Sequence, residues 1–358
     1  MLAGKKCTGK KIDSSQMKEK TNPALTFPHQ APELSAAVEI AKGVFWLRVP
    51  IPFELNHINV WLLDDGDSYT LIDTGIDSSR TRDAWEPLLG GQFSDKPIKT
   101  VIVTHFHPDH FGLAGWLTDR FSAQYWTSKE TQERTDFLLK DHKDEGSDDR
   151  QLYYQQHGIE DREFFENFLK GTLYRDIVSG SPDCTRFLDN DERLRIGEYE
   201  WRLIMTYGHA AGQITLHCEE LGMLISGDQI LPTITSNVSV HADQPEQNPL
   251  QEYLLSFKRY DDLAEDTLVL PSHGKVFTGI HKRISQIIEH HEAVLEKVFL
   301  LCEDASCVNE VVPKLFRRKL EGMNIILAFG EALANLNYLY YQGKIQRLLS
   351  DGLYRYQQ

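Results

Sequence analysis

No apolar run in the 358-residue sequence approaches the ~20 residues that a membrane-crossing helix needs. Cysteine is scarce. Cys7, Cys184, Cys218, Cys302 and Cys307 are scattered, odd in number and never spaced as CxxC. That usage argues against a disulfide framework and for a reducing compartment. An apolar leader is also lacking, because MLAGKKCTGKKIDSSQMKEK carries lysines with no apolar stretch behind them. A cytoplasmic protein is therefore expected. Basic residues are outnumbered, with 38 Lys and Arg against 53 Asp and Glu and a formal charge of -15. Such a chain repels phosphate backbones and anionic membranes at long range. The expected partner is a small-molecule substrate rather than nucleic acid or a membrane, with a homodimer compatible with the sequence. No GxSxG elbow is present and no internal repeat is seen.

What remains is ordinary globular material, with 41% hydrophobic and 25% charged residues. The length suggests one large domain plus a small one. Residues 1–36 read as a solvated, mobile tail. From 37 to 290, short β-branched or aromatic runs alternate with helical periods, the pattern of a layered α/β domain. The runs are Val44–Val49, Ile58–Leu63, Tyr69–Ile72 and Thr100–Val103. They resume at Thr185–Leu188, Leu194–Ile196, Tyr199–Met205, Ile214–Cys218, Met223–Ser226 and Thr267–Leu270. Between the two groups, at about 128–180, lies a charged segment with apolar residues at helical spacing (Phe137, Phe164, Phe165, Phe168). It reads as an insert of two or more amphipathic helices, either a solvated face or a lid. Residues 291–358 form the small unit. Phe329, Ala332, Leu333, Leu336, Leu339 and Tyr340 share one helix face, and an Asp351-Gly352 turn follows within a hairpin. Helices followed by a hairpin make a winged-helix pattern.

The chemistry lies in Thr104-His105-Phe106-His107-Pro108-Asp109-His110, directly after an apolar strand, where α/β sheets place their ligands. Any one histidine is an ordinary residue. Three with an aspartate would repel when protonated and leave bare nitrogens when buried neutral. A cation resolves both problems, and imidazole with carboxylate suits zinc, with iron or manganese as alternatives. Four donors exceed one open tetrahedral site. Further candidates are His209 in Gly208-His209-Ala210-Ala211-Gly212, Asp228 in Ser226-Gly227-Asp228, and His273 in Pro271-Ser272-His273-Gly274. Seven donors fit two ions.

This ordered set, together with Ile72-Asp73-Thr74-Gly75, resembles the metallo-β-lactamase-fold hydrolase superfamily from about residue 40 to 285. The C-terminal unit resembles the winged-helix-like domain of some members, including a β-lactamase-like endoribonuclease branch. The resemblance implies a four-layer αββα sandwich with a helical insert. It implies two divalent ions, one on His105, His107 and His209, the other on Asp109, His110 and His273, bridged by Asp228. Asp73 would orient a ligand by hydrogen bonding. Ala211 and Gln213 depart from many relatives, which bears on substrate and not on the metal ligands.

Two such ions lower the pKa of water toward about 7, so no serine or cysteine nucleophile is needed. Asp109 or Asp228 would hold the water and take its proton. Hydrolysis of a small ester or thioester is the leading expectation. Phosphodiester cleavage of RNA or DNA and a non-catalytic winged-helix sensor are the competitors. His57 is a candidate for substrate contact. Thr233, Thr235, Asn237 and His241, which follow Asp228, are candidates to line the site. His217 reads as structural and the His290-His291 pair as solvated. Lys314, Arg317, Arg318 and Lys319 form the one dense basic cluster.

Overall fold

The structure is a computed structural model that describes residues 22–52, 55–140, 147–159, 174–316, 319–320 and 323–358. Phe164, Phe165, Phe168, Arg317, Arg318 and Cys7, singled out in the sequence, lie outside the described residues.

The first half builds β1 (Ala37–Ala41), β2 (Val44–Pro50), β3 (His57–Asp64), β4 (Tyr69–Ile72), α1 (Ser79–Pro87), β5 (Ile98–Ile102), α2 (Pro108–Phe111), α3 (Ala114–Phe121) and β6 (Gln124–Thr127). The insert supplies α4 (Lys129–Leu139) and α5 (Ser147–Gln156). The second half builds β7 (Arg186–Phe187), β8 (Arg193–Ile196), β9 (Tyr199–Thr206), β10 (Gln213–Cys218), β11 (Met223–Gly227), α6 (Pro249–Ser256) and β12 (Leu268–Pro271). The chain closes with α7 (Ile280–Leu301), α8 (Val308–Leu315), α9 (Met323–Tyr341), β13 (Gln346–Ser350) and β14 (Leu353–Gln357).

Strands β1 to β7 form one sheet in sequence order, and a second sheet runs β12-β11-β10-β9-β8. Pairing is antiparallel from β1 to β4 and parallel from β4 to β7; in the second sheet only β11 and β12 are parallel.

Side chains alternate across each strand, and this assigns the layers. In β3, Trp61 and Leu63 join Trp46, Ile72, Trp201, Leu203, Ile214 and Ile225 in the core between the sheets. From the same strand, Ile58, Val60 and Leu62 face the other way and pack with Trp85, Phe111 and Leu117 from helices α1 to α3. On the outer face of the second sheet, Ile204, Leu224 and Val269 meet Tyr253, Ile287, Val298 and Phe329 from α6, α7 and α9. The result is the expected four-layer αββα sandwich. No helix among the described residues is long and apolar enough to cross a membrane.

Three expectations need correction. The tail is docked from residue 22 onward: Leu25 is buried in the helical core, Thr26 pairs with Thr278, and Asn22 Nδ2 donates to Gln286 Oε1 at 2.6 Å. Helix α7 runs unbroken across the boundary drawn at 290/291, and Val298, Val308, Phe329 and Tyr356 share one core with Ile204 and Val269 of the second sheet. The C-terminal unit is thus fused to the sandwich, because α9 is apolar enough to need covering on most of its faces. Nor is α5 a simple solvated face, because Tyr153 and Tyr154 are buried with Phe329 at ring distances of 6.0 and 5.2 Å. His291 is likewise buried, against Tyr253 rather than in solvent. Asp351 and Gly352 both take positive φ, as the expected hairpin turn requires.

Candidate metal centre

Strand ends of both sheets converge at one edge of the sandwich. The segment after β4 carries Asp73, that after β5 carries His105 to His110, and β3 begins there with His57. From the second sheet come His209 after β9, Asp228 after β11 and His273 after β12. Backbone strain accompanies this. Asp73 sits at φ 64, a left-handed conformation that aspartate tolerates better than most residues. Gly208, just before His209, has φ 98, and a Cβ there would lie 2.4 Å from Cβ and N of Tyr253.

All seven predicted donors are brought together. Three groups could each hold an ion: His105, His107 and His209; Asp109, His110 and His273; and His105, His110 and Asp228. Within each, the donor atoms lie within 4.8 Å of one another. Asp228 spans the first two groups. Its Oδ2 is 3.7 Å from His209 Nε2, while Oδ1 is 3.5 Å from His110 Nε2 and 3.6 Å from His273 Nε2.

The imidazole tautomers follow from hydrogen bonds behind the ring. His209 Nδ1 lies 2.7 Å from the carbonyl of Asn237, and His273 Nδ1 lies 2.9 Å from the carbonyl of His57. A carbonyl only accepts, so both Nδ1 atoms carry a proton, and in the neutral imidazole, the form that ligates a metal, both Nε2 atoms are bare. His110 Nδ1 donates to Asp73 Oδ2 at 2.8 Å. Thr104 Oγ1 donates to the same carboxylate at 2.9 Å, which leaves it to accept from His105 Nδ1 at 3.0 Å. Bare Nε2 atoms of His105 and His209 then face each other at 3.2 Å, and His107 Nδ1 stands 2.9 Å from His105 Nε2.

His110 Nε2 and Asp228 Oδ1 are buried without a hydrogen-bond partner. Lone pairs and carboxylate oxygens converging in a buried pocket are unfavourable unless positive charge sits among them. The donor set therefore fits divalent cations, and orienting partners of this kind are what metal-ligating histidines ordinarily have.

Electrostatics divide the histidines. Burial pushes His105 and His107 well below the ordinary imidazole value, with neighbouring histidines adding to it. Burial also opposes charge on His110, but the carboxylates of Asp73, Asp228 and Asp109 outweigh it and hold that group well above its usual value. Burial would raise Asp109, yet His110 and His273 bring it down to about 2. Against the same opposition, His273 and His110 hold Asp228 far below the usual carboxylate range.

The other predicted residues divide. His57 and Asn237 each offer a backbone carbonyl to a histidine of the site. The His57 ring is buried against Arg48 Nη2 at 3.0 Å and is pushed down to about 2 by burial and by Arg48. Thr233 and Thr235 line a cavity with Arg283 and Gln286. His241 is pushed down to about 4 by burial, with Arg134 adding to it.

Sequence reasoning missed Asn59, Thr104, Tyr174 and Arg134. Asn59 Nδ2 donates to the carbonyls of Pro271 (2.7 Å) and Gly274 (2.9 Å), clamping the His273 loop. A lone amide in the apolar run of β3 was the signal. Tyr174 Oη donates to Phe106 O at 2.5 Å, and Arg134 lies over the Phe106 and Phe137 rings while pairing with Asp243. These groups form an aromatic wall of which Phe106 stands beside His107, at a ring distance of 4.6 Å.

Comparison with known proteins gives concordant matches. The family described as Metallo-beta-lactamase superfamily matches residues 54–273, and that described as Metallo-beta-lactamase-like, C-terminal domain matches 295–358. The crystal structure of a beta-lactamase domain protein from Burkholderia ambifaria is 38% identical with a TM-score of 0.86, covering 93% of this chain and 98% of that one. A probable metallo-hydrolase of Bacillus subtilis, YqjP, is 28% identical over 83% of this chain and 92% of its own length. Acyl-coenzyme A thioesterase MBLAC2 of Gallus gallus is 24% identical over 66% of this chain and 80% of its own.

Proposed function

The chain belongs to the metallo-β-lactamase superfamily and is a metal-dependent hydrolase, and from that premise we propose that it uses two divalent ions, zinc in the first instance, to hydrolyse a small ester or thioester. The observation that carries the two-ion reading is Asp228, whose two oxygens each face a different group of histidines. His105, His107 and His209 would hold one ion, and Asp109, His110 and His273 the other. When bound, such ions supply Lewis acidity, making water acidic enough to ionise near neutral pH and polarising the scissile group.

The chain's own residues do the rest. Asp73, Thr104 and the carbonyls of His57 and Asn237 fix the imidazoles so that each bare nitrogen points into the pocket. Asp109 and Asp228, both held ionised, are placed to accept a hydrogen bond from the attacking water and to take its proton. Neither role requires a side-chain nucleophile.

A thioester or ester substrate is supported by the aromatic wall of Phe106, Phe137 and Tyr174, which suits an acyl group, and by the thioesterase relative. The acidic chain weighs against RNA or DNA as substrate. The sensor reading is weakened by α9, which carries no Lys or Arg and buries Phe329, Ala332, Leu333, Leu336 and Leu339 instead of offering a groove-binding face. A cytoplasmic location remains our reading from the sequence.

The test is metal analysis of purified protein with turnover of thioesters, esters, lactones, phosphodiesters and RNA, for wild type and Asp109→Ala. About two equivalents of metal with thioester or ester turnover, lost in the variant, supports the proposal. Turnover of phosphodiesters alone moves the substrate to the competing class. Turnover that survives Asp109→Ala, or protein without metal, rejects the two-ion mechanism.

A further inference from the structure

Helix α9 approaches the loop after Asp228 more closely than ordinary side chains would allow. A Cβ on Gly330 would stand 2.7 Å from Cβ of Ser239 and 3.1 Å from the carbonyl of Val240. The helix also bonds this loop directly. Val240 N–H donates to Gly330 O at 3.1 Å, and Asn337 Nδ2 donates to the carbonyls of Pro245 (3.0 Å) and Gln247 (2.9 Å).

An acidic side chain of this helix bonds Asn237 in the same loop. Glu331 is the only acid in MNIILAFGEALANLNYLYY. Its Oε2 accepts a 3.3 Å hydrogen bond from Asn237 Nδ2. The Asn237 Oδ1 accepts from the Ser239 hydroxyl at 2.6 Å, so the amide is held at both ends. The backbone carbonyl of this same residue receives the Nδ1 proton of His209. Glu331 therefore stands two contacts from a metal-ligating nitrogen, and both contacts pass through Asn237.

We propose that Glu331 is a positioning residue for His209, and that through it the C-terminal unit sets the affinity of the His105, His107 and His209 group for its ion. The inference rests on the two-ion reading. Its physical basis is that a histidine ligand is only as well aimed as the acceptor behind it. Removal of such partners typically lowers metal affinity about 10- to 100-fold. Without the carboxylate, Asn237 loses one of its two side-chain anchors, its carbonyl can tilt, and His209 Nε2 drifts from its 3.2 Å approach to His105 Nε2.

The experiment is zinc titration of the full chain against a chromophoric chelator. For wild type, two equivalents are expected. Glu331→Ala is expected to weaken one of the two by about 10- to 100-fold and leave the other unchanged. Glu331→Gln keeps an oxygen acceptor and is expected to restore most of the affinity. Asn237→Ala retains the carbonyl but removes the link, so Glu331→Ala added to it should have no further effect. A purely structural role would instead add to it. The inference is overturned if Glu331→Ala holds both equivalents as wild type does, or if the two substitutions are additive. If wild type binds no zinc, the two-ion reading fails first, before any variant is compared. Thermal melting of each variant with excess chelator separates unfolding from lost affinity. Should Glu331→Ala not fold, the glutamine variant and Asn237→Ala carry the comparison.

Discussion

Asp73 Oδ2 accepts a 2.8 Å hydrogen bond from Nδ1 of His110, and its other oxygen accepts the backbone N–H of Thr104 at the same distance. One carboxylate at a strained position thus orders both the start of the histidine run and its last member. Asp73→Asn tests the relationship cleanly, because asparagine also tolerates positive φ. Its amide cannot accept both bonds, so His110 loses part of its orientation. Zinc affinity of the Asp109, His110 and His273 group should fall about 10- to 100-fold. Zinc competition titration measures this, and an unchanged second equivalent would reject the role.

Asn59 makes a comparable clamp across the two sheets. It is fully buried in β3 and bonds the loop of β12 through its amide and through its N–H, which donates to Ser272 O at 2.7 Å. Asn59→Ala takes the side-chain donor from one buried and one half-buried carbonyl. The expected loss is about 1–3 kcal/mol. A lowered urea midpoint should accompany weaker binding by His273. If the midpoint stays at the wild-type value, those carbonyls find other donors and the clamp is dispensable.

The sandwich and the donor set were legible because each rests on a local signal. Near-continuous apolar runs such as those of β2 and β3 suit only a strand buried on both faces. His105 to His110 packs too many lone pairs into six residues to be inert. What was not legible depends on which backbone groups come together. The carbonyls of His57 and Asn237 orient ligands without any sequence signature, since every residue has a carbonyl. Glu331 gave a faint hint as a solitary acid in an apolar helix, but its partner lies 94 positions away. Helix α7 is continuous in pattern across residue 290, and nothing local says that the core on its far end merges with the sandwich.

A pH dependence follows from a histidine outside the metal centre. His157 is buried between Phe329 and Tyr354, at ring distances of 5.9 and 5.1 Å, and donates from Nδ1 to Tyr153 O. Burial pushes it down to about 4 from an ordinary 6.5. The folded state therefore resists a proton that the unfolded chain accepts. Stability is full above about pH 6.5 and declines as pH falls toward 4, by on the order of 3 kcal/mol at most from this group. His157→Gln cannot take up that proton. The stability gap between wild type and variant, read from urea unfolding at several pH values, should shrink across this window. A gap that widens on acidification would mean the ring is charged in the fold.

Gly208 offers a test that separates conformation from packing. With φ 98 and Tyr253 2.4 Å from where a Cβ would stand, Gly208→Ala suffers both left-handed strain and overlap with backbone. The strain costs about 1–2 kcal/mol and overpacking about 1–3 kcal/mol more. Gly343 is the control. It also has positive φ, at 67, but nothing lies within 4 Å of its missing Cβ, so Gly343→Ala meets the strain alone. Calorimetric melting should show the larger drop for Gly208→Ala. Zinc titration should separate the two further, because the displaced residue after Gly208 is His209 whereas the turn at Gly343 touches no ligand. If both variants melt together and bind zinc alike, the close approach of α6 to the His209 loop does not fix that ligand. Its aim would then rest on the Asn237 carbonyl alone.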